Sequence, residues 1–184
     1  MKMTSEWKTL EDVEKHIFEC TACPLSDTVI NKVVRKGSDR PKVLFIGEAP
    51  GKNEDETGVP FCGRAGKILD DLIDYAGLED SDWAVINTIK CRPPKNRNPN
   101  KKELEACKPF LNRQIELLDP KLIILLGNTA EKAFLNGHKM EWGSVEEFQG
   151  RNVLKIFHPA ALIYTRSRTD DQHQFIDENR HLFS

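Results

Sequence analysis

Residues 43–73, VLFIGEAPGKNEDETGVPFCGRAGKILDDLI, constrain this chain most, because a buried strand, a glycine-rich polar loop and an amphipathic helix follow one another there. Val43 to Ile46 is a short, apolar, partly β-branched run of the kind that fills a parallel sheet, and Gly47 permits the sharp turn that ends it. From Gly47 to Gly63 four glycines and two prolines surround Glu48, Glu54, Asp55 and Glu56, with one aromatic, Phe61, near the far end. Strand-to-helix connections usually take about 2–6 residues, and longer ones on a rigid scaffold tend to carry function. The loop is therefore expected to hold an active site. It is not a standard phosphate loop: Gly47 and Gly51 enclose three residues where a P-loop has four, Lys52 is followed by Asn53, and G-x-G-x-x-G is absent.

With 184 residues and 39% apolar content, one domain over residues 1–184 is expected. The longest apolar run, Leu122 to Leu126, is far below a membrane span, and MKMTSEWKTLEDVEK has no signal-peptide core, so a cytoplasmic protein is expected. A net charge of −2 argues against a globally basic nucleic-acid binder but leaves room for a local basic surface. Lys90, Arg92, Lys95, Arg97, Lys101 and Lys102 supply one on a proline-broken loop, although a merely solvated loop reads the same way.

Thr9, with Asp12 three residues on, starts a helix lined by Leu10, Val13 and Ile17 that reaches Cys20. Cys20 and Cys23 form C-T-A-C. Without a secretion signal this spacing suggests metal or redox chemistry, and Cys91 and Cys107 bring the thiols to four, a set that suits zinc or an iron-sulfur cluster. Cys62, inside the glycine-rich loop, has no place in a four-ligand site. Strands are expected at 43–46, 83–87, 122–126 and 153–157, with helices around 68–73, over 101–118, from Asn128 to about Leu135, and after Arg166. Their alternation implies an α/β fold, a single-domain αβα sandwich around a mostly parallel four-stranded sheet, with ligands bound beyond the carboxyl ends of the strands. Glu48, Asn87, Asn128 and His158 each end or directly follow a strand and should share that edge. Singly they read as turn formers or hydrogen-bonded strand ends. Together with Phe61 they describe a pocket for a planar polar group.

GEAPG at 47–51, PFCGRAG at 60–66, NTIKCRPP at 87–94 and HPAAL at 158–162, together with the spacing of the four cysteines, resemble the iron-sulfur uracil-DNA glycosylases, family four. The resemblance spans most of the chain. It implies a [4Fe-4S] cluster on Cys20, Cys23, Cys91 and Cys107, and hydrolytic excision of uracil flipped out of single- or double-stranded DNA. It further implies that His158 faces uracil O2, Asn87 reads N3–H and O4, Phe61 stacks on the base, and the backbone near Gly47 adds contacts to O2. Glu54 would lie beside the C5 edge and repel a thymine methyl. Other uracil-DNA glycosylases carry Asp two residues after the first glycine of the motif. Ala49 stands there in this chain, so Glu48, with Asp55 as its rival, is expected to position the water. Cys62 replaces a more usual Val. Residues 92–106 contain no histidine, so the covalent trapping of some relatives is not expected. A monomer is anticipated, with a sliding clamp left open as a protein partner. The competing reading is a non-enzymatic zinc or iron-sulfur module for DNA binding or redox work, which leaves Glu48, Asn87, Phe61 and His158 without a common purpose.

Overall fold

The computed structural model describes residues 6–184. Residues 1–5, part of the domain expected over 1–184 and of the start judged to lack a leader, lie outside the described residues. Strands β1 (Lys36–Gly37), β2 (Val43–Gly47), β3 (Trp83–Asn87), β4 (Leu122–Leu126), β5 (Val145–Phe148) and β6 (Arg151–Ile156) form one sheet in the order β1-β3-β2-β4-β6-β5. The four strands expected from the sequence are its parallel centre, β3-β2-β4-β6. The count is corrected from four to six by an antiparallel strand at each edge. β1 is only two residues long. β5, VEEF, is half-exposed with Glu146 and Glu147 in its middle, so neither strand has an apolar run to betray it. β5 turns into β6 through Gln149 and Gly150, both at positive φ (52° and 79°), as a tight hairpin between right-twisted strands requires.

Central strands are apolar at every position because helices cover both faces. Val43, Phe45, Val85, Ile124 and Leu154 face one core with α3 (Arg64–Tyr75) and α6 (Arg166–Glu178). Leu44, Ile46, Ile86, Ile123 and Val153 face the other with α4 (Lys101–Leu118) and α5 (Asn128–Leu135). Helix α1 (Leu10–Phe18) begins at the expected capping box, with the Asp12 N–H on Thr9 Oγ1 at 3.1 Å and the Thr9 N–H on the Asp12 carboxylate at 3.2 Å. It packs on α4 through Val13, Ile17 and Phe110, beside Trp7, whose ring stacks 5.0 Å from that of Phe110. The glycine-rich loop contains a short helix, α2 (Lys52–Thr57). Pairing of Gly47 with Asn87 and of Leu126 with Ile156 puts the ends of β2, β3, β4 and β6 on one edge. Among the described residues no helix is long and apolar enough to cross a membrane.

Candidate active site

Asn87, the last residue of β3, is 2% exposed and lines a depression of about 220 Å3 bounded by Phe61, Glu54, Asn53, Asn96 and His158. Its Oδ1 is buried with no hydrogen-bond partner, a state that proteins tolerate rarely. The Phe61 ring stands 5.7 Å from the His158 imidazole, tilted by 31°. Phe61 has φ 50°, which a bulky residue seldom adopts. Helix α3 enforces it: a Cβ on Gly66 would lie 1.8 Å from the Phe61 carbonyl oxygen. Gly47 is equally constrained, since a Cβ there would sit 2.6 Å from both Asn87 Oδ1 and Phe61 Cζ. These two glycines let an aromatic face and an amide share one pocket.

His158 follows β6 after Phe157 and is half-buried. Its Nδ1 accepts the Ala160 backbone N–H at 3.1 Å, so the proton of the neutral ring resides on Nε2. Burial lowers its pKa to about 4, which keeps the imidazole neutral at physiological pH. Glu54 is tied down twice: Oε1 accepts the Gly51 N–H at 3.0 Å, capping α2, and Oε2 lies 3.3 Å from the Cys62 thiol. Cys62 is exposed, also 3.2 Å from Thr57 Oγ1, and so belongs to the loop.

A second cleft adjoins the first and shares His158 with it. Glu48, Asn128 and Thr129 line it, and the Thr129 hydroxyl donates to Glu48 Oε2 at 2.9 Å. Asp55 is not brought there. Its buried carboxylate accepts the N–H groups of Ile30 and Asn31 at 3.0 and 3.3 Å, tying that loop to α2. Arg97 is likewise occupied, forked on Glu103 at 2.7 and 2.8 Å beside the Asn100 cap of α4. Four polar pocket residues escaped the sequence reading: Lys52, Asn53, Arg64 and Asn96. Asn96 turns in at φ 57° with its Oδ1 held by Arg92 Nε at 2.7 Å, and the Asn-rich, proline-broken PKNRNPN was the available signal for such a turn.

Cys20, Cys23, Cys91 and Cys107 line one tight cavity between α1, α4 and the loop after β3. Among the described residues no three metal-ligating groups are gathered on a single-ion position. Burial pushes the Cys91 thiol up to about 12 and that of Cys107 to about 11. Lys32 and Lys90 line the same cavity, and no carboxylate does. Four thiolates around a dipositive core leave two negative charges, which two lysines match. The donor set thus fits a thiolate-bound metal group.

The family model for the uracil DNA glycosylase superfamily matches residues 34–181. A type-4 uracil-DNA glycosylase of Thermotoga maritima is 39% identical over 170 residues, covering 90% of this chain and 88% of the relative. One from Archaeoglobus fulgidus is 36% identical, covering 85% and 84%. A type-5 uracil-DNA glycosylase of Pyrobaculum aerophilum is more distant, at 27% over 68% of this chain. The chain belongs to the uracil DNA glycosylase superfamily and, within it, to the type-4 uracil-DNA glycosylases.

Proposed function

We propose that this protein removes uracil from DNA by hydrolysing the bond between base and deoxyribose, leaving an abasic site. One observation carries the reading: a neutral imidazole with its Nδ1 already engaged, so that Nε2–H is its free donor, lines the same pocket as Phe61 and the unpartnered Asn87 Oδ1. The base must leave the helix to reach such a pocket. Phe61 takes its face. Asn87 Oδ1 accepts from N3–H and Nδ2 donates to O4, whereas cytosine presents the reversed pattern and would leave both groups unpaired. As the bond breaks, negative charge grows on O2, and the fixed Nε2–H donor of His158 stabilises it without transferring a proton. We assign the water to Glu48, which Thr129 holds in the adjoining cleft, because Asp55 is committed to the Ile30 and Asn31 N–H groups. We assign Glu54 to the C5 edge. Cys20, Cys23, Cys91 and Cys107 would hold a [4Fe-4S] cluster, whose contribution when bound is to fasten α1, the loop after β3 and α4 together. A monomer working in the cytoplasm completes the proposal. Incubation with uracil-containing single-stranded DNA followed by alkaline cleavage tests it: strand scission at uracil is expected, and none above a buffer control overturns it.

A further inference from the structure

Lys90 lies between Asn87 and the four-cysteine cavity in sequence and in space. It is 1% exposed, its Nζ donates to the Asn87 carbonyl at 2.6 Å, and it lines the cavity with all four cysteines. No carboxylate pairs with it among the described residues, and a buried ammonium without a counter-charge is costly. Lys32 reaches the same cavity but gives its hydrogen bonds to the carbonyls of Phe18 and Cys20, far from the base pocket in the chain. From this geometry we infer that Lys90 is a positioning residue that couples the thiolate-bound centre to base recognition. Its ammonium offsets the negative charge of the four-thiolate group, and the same nitrogen holds the Asn87 carbonyl, fixing where the Asn87 amide points. The charge of the centre keeps Lys90 in place, and Lys90 keeps the amide aimed. This inference rests on the function proposed above.

The holoprotein and its Lys90→Met, Lys90→Gln and Lys32→Met variants test it. Two readouts separate the halves: the midpoint potential of the visible chromophore under dithionite titration, and the affinity for DNA carrying a non-hydrolysable 2′-fluoro-deoxyuridine against the same DNA with thymidine. Removing a buried positive charge beside the centre makes it harder to reduce, so the potential falls in Lys90→Met and Lys90→Gln. Lys90→Met also weakens uracil-specific binding by about tenfold, the scale of one charged hydrogen bond, with thymidine DNA unaffected. Lys90→Gln keeps an N–H donor for the Asn87 carbonyl and retains most of that affinity. Lys32→Met moves only the potential. An unchanged potential in both Lys90 variants overturns the inference, as does wild-type uracil binding by Lys90→Met. Should Lys90→Met fail to fold, an unchanged potential or lost uracil affinity in Lys90→Gln overturns it as well. A wild-type protein without iron, or blind to uracil against thymine, instead sinks the underlying function.

Discussion

Burial keeps the His158 imidazole neutral at physiological pH. Facing O2 as proposed, its N–H donor would hold the uncharged base weakly and strengthen as charge grows on O2. Its pKa of about 4 sets the sign of a test. The neutral, active form dominates above that value, so single-turnover rates should show no His158 inflection near the ordinary value of about 6.5 and should fall only toward pH 4. A rate halved at about 6.5 would contradict it. His158→Ala should lose ~10²-fold or more in that rate with little change in DNA affinity, because the contact strengthens only as charge develops. Glu54 offers a second test. Its carboxylate both caps α2 and lines the pocket, so Glu54→Ala confounds the two roles. Glu54→Gln keeps an acceptor for the Gly51 N–H and removes the charge. A thymine methyl would strip water from that charge without replacing it, so Glu54→Gln should raise excision of 5-methyl-uracil relative to uracil at unchanged melting temperature. An unaltered ratio on matched substrates means that another group guards C5. Glu48, Asn87 and His158 were legible because each ends or follows a strand, and strand direction alone puts them on one edge. Lys52, Asn53, Arg64 and Asn96 were not, because they arrive from helix starts and from a left-handed turn whose direction no spacing encodes.

At the scale of elements, apolar runs buried on both faces announced the four central strands, and the Thr9–Asp12 capping pair announced α1. Half-exposed edges carry no such pattern, so β1 and β5 stayed hidden, as did α2, whose KNEDET has no apolar stripe at all. The basic loop shows the same limit. Six cations within thirteen residues look interchangeable, yet Lys90 is buried against the cysteines and leaves the basic surface, Arg97 closes a bidentate pair on the buried Glu103, and Lys101 stands largely free, 4.0 Å from Glu105. Their substitutions should therefore separate. Lys101→Ala should flatten the salt dependence of DNA binding by about one counterion and leave thermal stability alone. Arg97→Ala strands the Glu103 carboxylate at the start of α4, so it should lower the melting temperature while leaving the salt slope near that of the wild type. Salt titrations and thermal melts of the two variants check both halves.

Across the whole molecule, the four cysteines tie together parts of the chain that the sheet does not join directly. Cys20 and Cys23 follow α1, Cys91 lies in the loop after β3 and Cys107 is on α4, so the proposed metal group would close the long loop from Cys23 to Cys91. Closing it removes chain entropy from the unfolded state, and the bound group adds its own binding free energy to folding. Burial favours the neutral thiol at Cys91 and Cys107, so a metal must displace their protons to bind and its contribution to folding should grow with pH. The purified protein should be brown, with about four irons and a broad visible absorbance if the cluster is the cubane the family implies. Stoichiometric zinc without iron would remove it. Cys107→Ala should lower both iron content and melting temperature, and because the loop after β3 that carries Cys91 also brings Asn96 to the base pocket, uracil-specific binding should weaken with them. Cys62→Ala should leave iron and melting temperature where they are, since that exposed thiol has only Thr57 and Glu54 as hydrogen-bond partners among the described residues. A Cys62 variant that loses iron would place the fifth thiol in the metal site and would require a different set of four ligands.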